Sequence, residues 1–314
     1  MKTTINHLSK MLFAFVLCVG LGMTSCETAD PENSESPENP ENPETPETPE
    51  IPTNIIVFAD DIVKKSCVEA FDTDGDGEVS YDEAAAVKDL SNVTLRFVDD
   101  FLTFDEFQYF TKVKSLPKKF FEGGKCLKSI VLPEGLKSIG ERAFAQCTSL
   151  ESIVLPKGLE SIGKQAFLTC TSLAEVEFPE VLDTLGISAF RNCTSLTEVE
   201  LPEGLEIIGD QFDFCTNLKK IKFSIGLKWI KQQAFDECIK LAEVHFPDGL
   251  KCIYDAAFQD SNLNRVYCAS TNPPHLMSMG FRCKTLYVPK NSVELYKSKP
   301  TWRDQCENIV GYDF

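Results

Sequence analysis

From Leu127 onward one phrase recurs, Leu-x-x-Ile-x-Leu-Pro-x-Gly-Leu-x-x-Ile-Gly-x-x-Ala-Phe-x-x-Cys. Its leading leucine stands at Leu127, Leu150, Leu173, Leu196, Leu218, Leu241, Leu263 and Leu286. The gaps are 23, 23, 23, 22, 23, 22 and 23 residues. A fixed period of this length describes stacked turns of one small unit, each unable to bury its own apolar face without its neighbours. The fold expected is therefore a repeat solenoid, β-rich with short parallel strands, over residues 127–285.

Within residues 150–172 the pattern turns Leu150, Ile153, Leu155, Leu159, Ile162, Ala166, Phe167 and Cys170 inward. Leu150 to Leu155 reads as a strand, Pro156-Lys157-Gly158 as a turn and Gly163 as a second bend. Phe121, Phe144, Phe167, Phe190, Phe235, Phe258 and Phe281 share one repeat position and should form an aromatic spine. One residue is missing between Gly209 and Cys215, so Phe212 or Phe214 has to fill that slot. Cys147, Cys170, Cys193, Cys215 and Cys238 also share a position. They read as a column of free buried thiols, because unpaired cysteine behaves as a small apolar residue. A solenoid needs atypical ends. Residues 96–126, rich in aromatics (Phe101, Phe104, Phe107, Tyr109, Phe110), are expected to close one end. Residues 286–314, with Tyr296, Trp302 and Ile309, are expected to close the other.

The net charge of -17 belongs to the front of the chain. Residues 27–53 carry nine acids and no Lys or Arg, and residues 55–100 carry twelve acids against four bases, which leaves the repeats near neutral. With no basic stripe interleaved with aromatics, a nucleic-acid partner is not expected. Lys2 and Lys10 precede an apolar run, Met11 to Met23, that is too short to span a bilayer and suits a secretory leader. The leader is read as residues 1–25. Small residues before Cys26 resemble a bacterial lipoprotein signal, which makes Cys26 the lipidation site and the protein exported and membrane-anchored, at the outer membrane or cell surface. Residues 26–53, with a proline at every third position from Pro37 to Pro52, read as a disordered tether. Extended, it spans roughly 80 Å at most.

Residues 54–95 carry the explicit metal chemistry. Asp72-Thr73-Asp74-Gly75-Asp76-Gly77-Glu78-Val79-Ser80-Tyr81-Asp82-Glu83 sets oxygen side chains at loop positions 1, 3, 5, 9 and 12, with glycine at the sixth. Calcium takes six to eight hard oxygen ligands, and this spacing wraps Asp72, Asp74, Asp76, the Glu78 carbonyl, Ser80 and a bidentate Glu83 around one ion. Helices are expected on either side, over Phe58 to Phe71 and Tyr81 to Leu90. A lone EF-hand-like helix-loop-helix suits a structural Ca2+ clip rather than a sensor that opens.

The repeat phrase as a whole resembles the BspA-type leucine-rich repeat of bacterial surface proteins, over about Leu116 to Phe314. Glu83 to Ala86 after the Asp-rich loop, and the closing Tyr287 to Tyr296 segment, are similar to parts of several such proteins. The resemblance implies a right-handed solenoid displayed on the cell surface and associated with adhesion to host or matrix proteins. It implies no catalytic residues.

Outward strand positions run Ser129 and Val131, Ser152 and Val154, Glu175 and Glu177, Glu198 and Glu200, Lys220 and Lys222, then Glu243 and His245. Stacked about 5 Å apart, they make an apolar patch, a four-carboxylate block and a lysine pair. This is the candidate recognition face for an extracellular protein or glycan. Its plain alternative is a solvated face on which the lysines merely offset Glu198 and Glu200. An enzyme is not expected: His245 and His275 lack a paired Ser or Cys motif in sequence, and no phosphate loop or zinc spacing is present. Two roles remain, surface binding and a passive envelope-organising lipoprotein.

Overall fold

Most turns of the repeat lay down two short parallel strands where the sequence suggests one. Residues 54–90, 102–277 and 281–314 are described in the structure, a computed structural model, and all fall in one unit, Glu50–Phe314. The leader, Cys26 and the tether lie outside the described residues, as does Phe101 of the N-terminal cap. Among the described residues no helix is long and apolar enough to cross a membrane.

The first strand row follows the x-Ile-x-Leu part of the repeat: Ser129–Ile130, Glu198–Glu200, Lys220–Lys222, Glu243–Phe246, Arg265–Cys268 and Cys283–Pro289. In residues 150–155 the expected strand reduces to single bridges, Val131 to Val154 and Ser152 to Glu175. The second row follows Ser-Ile-Gly. Ser115–Leu116, Ser138–Ile139, Ser161–Ile162 and Thr184–Leu185 form one four-stranded sheet, and Ile207–Ile208, Trp229–Ile230, Cys252–Ile253 and His275–Leu276 another. That row was missed because a strand of two residues is too short to show an alternating pattern. Pairing is parallel throughout both rows, with Ile139 opposite Ile162 and Ile162 opposite Leu185.

The aromatic spine holds. Rings from Phe121 to Phe144, Phe167 and Phe190 stack 5.1, 5.2 and 5.0 Å apart. Phe212, fully buried, takes the contested slot, while Phe214 is 36% exposed. Stacking ends at Phe258, because Phe281 meets it edge-on, at 80° and 6.3 Å. Each buried ring contributes on the order of 2 to 3 kcal/mol.

The thiol column is buried and unpaired, and its sulfurs have a second duty. Each thiol donates to the phenylalanine carbonyl of the preceding turn: Cys147 to Phe121, Cys170 to Phe144, Cys193 to Phe167, Cys215 to Phe190 and Cys238 to Phe212, at 3.1 to 3.4 Å. Burial pushes the Cys147 thiol up to about 12 and the other four well above the ordinary value, so the column stays protonated.

Both ends are closed as atypical turns. At the front, Phe104, Phe107 and Phe110 pack on one another and on Phe121. Thr103–Phe104 pairs with Ser129–Ile130 and extends the first strand row. At the far end, the Cys306–Tyr312 strand pairs with Cys283–Pro289. Tyr296 and Trp302, on the short helical segments between those strands, are buried and donate to the Ser270 and Pro274 carbonyls, at 2.8 and 2.9 Å. Ile309 is only half-buried at this edge.

Ahead of the array stand two helices, α1 (Asp61–Phe71) and α2 (Tyr81–Ala86), both shorter than the sequence suggests. Asp60 caps α1 by accepting from the Ile62 and Val63 N–H groups, so Phe58 precedes the helix. α2 ends at Ala86, with Val87 already extended. Phe71 packs on Phe110 at 4.9 Å and Tyr81 on Tyr109 at 4.7 Å, which seats the helix pair on the N-terminal cap.

Candidate functional site

Two places carry the chemistry singled out in the sequence, the acidic loop between α1 and α2 and the outward face of the first strand row.

In the loop, Gly75 and Gly77 take positive φ values of 80° and 85°, which lets the chain coil around its own aspartates. Asp72 accepts from the Gly75 and Gly77 N–H groups at 2.7 and 2.9 Å, Asp74 from Asp76 at 3.2 Å, and Asp76 from Glu78 at 2.8 Å. One carboxylate oxygen from each of Asp72, Asp74 and Asp76 lies within 4.8 Å of the others. Oxygens sharing a calcium ion at 2.3 to 2.6 Å sit at separations of this size, so these three fit the ion. Glu78 turns its side chain to Lys64 at 2.7 Å, leaving its carbonyl as the group it offers the loop.

Glu83 stands apart from that trio. Its carboxylate accepts from the Thr73 and Ser80 N–H groups at 2.6 and 2.8 Å and from both hydroxyls, and with the Ser80 hydroxyl it forms a capping box on α2. The Ser80 and Thr73 backbone N–H groups, helped by the two hydroxyls, hold its carboxyl down to about 2. Residues 54–56 brace the loop from outside: Ile55 opposes Ser80, and Ile56 donates to the Val79 carbonyl at 2.9 Å. Val79, the apolar eighth position, is thereby fully buried.

On the strand face the acidic and basic residues sit as their register demands. Glu175, Glu177, Glu198, Glu200, Lys220 and Lys222 are all exposed and line a groove of about 470 Å³. Lys220 pairs with Glu198 at 3.3 Å and Lys222 with Glu200, so the offsetting alternative describes those four groups. Glu175 and Glu177 form no ion pair among the described residues.

Continuing the same two positions per turn reveals what the sequence reading stopped short of. After Glu243 and His245 come Arg265 and Tyr267, then Thr285 and Tyr287, in register. His245 stacks on Tyr267 at 4.3 Å and Tyr267 on Tyr287 at 4.5 Å, and Tyr312 meets both tyrosines edge-on. Arg265 is tied to Glu243 at 2.6 Å. The acidic block is therefore followed along the face by an aromatic block. The signal was available in the repeat spacing once the strand register had been carried past residue 245.

His275 also corrects an expectation. Cys252 is its in-register neighbour on the second row, with the thiol 3.6 Å from Nδ1. A motif search along the chain misses this, because one repeat separates the two residues. No third group orients the pair among the hydrogen bonds they form, and burial raises the Cys252 thiol.

The repeat geometry and its residue pattern find their match in a known family. Residues 114–223 and 210–297 match the BspA type leucine rich repeat region, in six copies. The chain belongs to this family. No curated protein matches. Among solved structures, a leucine rich repeat protein of T. pallidum is 31% identical, over 48% of this chain and 72% of that one, with a TM-score of 0.43. A leucine-rich repeat protein from Bacteroides ovatus is 23% identical, over 68% and 65%, with a TM-score of 0.47. A leucine rich cell surface protein from Faecalibacterium prausnitzii is 18% identical, over 64% and 84%, with a TM-score of 0.40. The BspA-type repeat explains the architecture through structural positions alone, and none of the strand-face residues belongs to its recurring phrase.

Proposed function

We propose that this BspA-type protein is a non-enzymatic binding protein of the bacterial surface. Lipid on Cys26 and the Pro/Glu-rich tether hold it to the membrane, and the strand face contacts an extracellular protein or glycan. The observation that carries the reading is the face itself: Glu175 and Glu177, outside any ion pair among the described residues, at one place and the Tyr267, Tyr287 and Tyr312 block farther along. Charged pairs that satisfy each other contribute little to a partner. Tyrosine and arginine are the residues on which interface energy concentrates.

The protein is tested against arrays of matrix proteins and glycans. Specific capture that drops at least tenfold in the Tyr267→Ala/Tyr287→Ala variant, or in Glu175→Lys/Glu177→Lys, supports the reading. Capture indifferent to both variants, or no reproducible capture at all, removes it and leaves a passive envelope protein.

Within the same reading the Asp72, Asp74 and Asp76 carboxylates hold a structural calcium ion, with the Glu78 carbonyl, Ser80 and Glu83 completing its shell. The ion would supply charge compensation for three close carboxylates and so order the seat on which α1 and α2 meet the cap. Calcium should raise the melting temperature over chelator, by about 2.7 kcal/mol of stability at a hundredfold excess over the dissociation constant. Asp74→Ala should abolish the difference, and equal melting in calcium and chelator counts against the ion.

A further inference from the structure

Eleven cysteines lie in the described residues, and most have a settled environment. Five form the column that donates to phenylalanine carbonyls. Cys67 is buried in α1, and Cys268 lies 3.2 Å from the Tyr296 hydroxyl. Cys283 and Cys306 differ, because each has the other. They are direct partners in the parallel pairing of the last two strands, and their sulfurs are 3.2 Å apart. We infer that Cys283 and Cys306 form a disulfide in the exported protein, fastening the final strand to the array.

Geometry comes first. Neighbouring parallel strands run about 4.8 Å apart, within the separation of roughly 4.4 to 6.8 Å that a disulfide tolerates between Cα atoms. The column cysteines also sit on neighbouring turns, yet their sulfurs point at carbonyls and are engaged there. Among the described residues, only the Cys283 and Cys306 sulfurs lie within hydrogen-bond distance of each other. A cavity of about 710 Å³ lies beside the pair, lined also by Asn264, Arg282, Gln305 and Glu307, although Cys283 itself is buried. Need follows from position. Cys306–Tyr312 is the last strand, exposed at Glu307, Asn308, Val310 and Tyr312. Its hold on the array rests on one neighbouring strand and on the segment carrying Tyr296 and Trp302. A bond at Cys306 closes the loop that contains both aromatics.

The chemistry balances with a disulfide-bearing oxidant, the thiol–disulfide oxidoreductase class of export compartments. One cysteine thiolate attacks the oxidant's disulfide and forms a mixed disulfide. The second thiolate displaces the oxidant's sulfur, so two protons and two electrons leave the protein and the oxidant becomes a dithiol. The hydrogen bond to Cys283, together with burial, pushes the Cys306 thiol up. Oxidation therefore belongs to the stage before the last strand docks, while a thiolate is still accessible.

The inference rests on the export reading, and the test separates the two. Protein taken from the envelope of the producing cell is blocked with N-ethylmaleimide at lysis and mapped by mass spectrometry. Purified reduced protein is refolded with glutathione disulfide and mapped in the same way. The expected result in both is a Cys283–Cys306 linked peptide, with the other nine of the eleven described cysteines alkylated. Reductant should then lower the melting temperature by roughly 5 °C or more, and should leave the Cys283→Ser/Cys306→Ser variant unmoved. Alkylation of both residues after glutathione disulfide treatment, or linkage through other cysteines, overturns the pairing. Linkage in the refolded sample but not in the envelope sample upholds the pairing and overturns export to an oxidising compartment.

Discussion

Between Phe121 and Phe190 the array is periodic, and around Phe212 it is not. In the periodic part each bend passes through one residue of positive φ ahead of the spine phenylalanine, at Lys119, Arg142, Gln165 and Ser188. The 22-residue turn has lost that residue: Gly186-Ile187-Ser188-Ala189-Phe190 becomes Gly209-Asp210-Gln211-Phe212. A short 3-10 helix, Asp210–Phe212, takes up the slack, and the rings on either side of Phe212 move to 5.7 and 6.0 Å. In a regular turn the bend glycine donates to the carbonyl one repeat back, as Gly186 does to Ile162 at 2.8 Å. At the irregular turn the buried Gln211 amide stands between: Gly209 N–H donates to its Oε1, and its Nε2 donates to the Leu185 carbonyl at 2.9 Å. The second sheet splits into two at this seam. A deletion is thus absorbed by a side chain acting as a substitute peptide group. Gln211→Ala strips a half-buried N–H and a buried C=O of their partners at once, and should cost about 1 to 3 kcal/mol in urea unfolding. A loss below about 1 kcal/mol would mean that the seam closes without the glutamine.

The irregular turn also buries charge that the regular turns do not. The residue after the spine phenylalanine is Glu122, ion-paired to Lys119 and Arg142, then Ala145, Leu168 and Arg191 in the periodic part, then Asp213 and Asp236. Asp213 is 1% exposed; Arg191 approaches to 3.1 Å, but neither Asp213 oxygen has a well-formed hydrogen bond. Burial pushes the Asp213 carboxyl up to about 6; Arg191 opposes this, and Asp236 and Asp210 add to it. A carboxyl raised in the folded state stabilises that state below its unfolded value near 4, and the benefit is lost as pH climbs through about 6. Unfolding free energy should accordingly fall by about 2 to 3 kcal/mol between pH 4 and pH 7.5. Asp236, also raised chiefly by burial, acts in the same direction, while Glu83, held near 2, acts the opposite way and begins to lose its contribution below about pH 5, which trims the slope at its acid end. Asp213→Asn should flatten most of the slope, since Arg191 is 44% exposed and can be hydrated instead. A variant as pH-sensitive as the parent would assign the slope to other groups.

The periodic part was legible because every turn restates it. Phenylalanine, cysteine and, in the first turns, glycine recur at a fixed offset, so the repetition fixes which residues face inward. The acidic loop was legible for a different reason: its aspartates stand at alternate positions around two glycines, and Asp72, Asp74 and Asp76 come together as that spacing requires. The choice between Phe212 and Phe214 stayed open in the sequence because it depends on how a shortened bend distributes its slack. The Gln211 bridge was hidden because a buried glutamine has no periodic signature. The Glu83 cap had a local signal, the Ser80-x-x-Glu83 capping box, but the same carboxylate also filled the last position of the acidic loop and was read in that role. The Cys252 and His275 approach could not be read locally, because the two residues lie a full turn apart.

The same contrast predicts unlike outcomes for one substitution at two glycines. A methyl group on Gly163 would lie 2.7 Å from the Glu141 nitrogen and the Gly140 carbonyl carbon, both backbone atoms of the neighbouring turn. At Gly209 the nearest atom is the Gln211 Oε1 at 3.5 Å, because the seam has opened the space. Gly163→Ala should therefore cost about 1 to 3 kcal/mol through overpacking, and Gly209→Ala less than about 1 kcal/mol in the same unfolding assay. Beyond the seam the corresponding bend positions are Lys231 and Tyr254, whose side chains meet in a cation–π contact at 4.0 Å, so the glycine requirement ends where the backbone spacing changes. Equal losses at the two glycines would show that neighbouring turns yield as readily in the periodic part as at the seam. Close backbone contact would then have no part in setting the pitch of the regular turns.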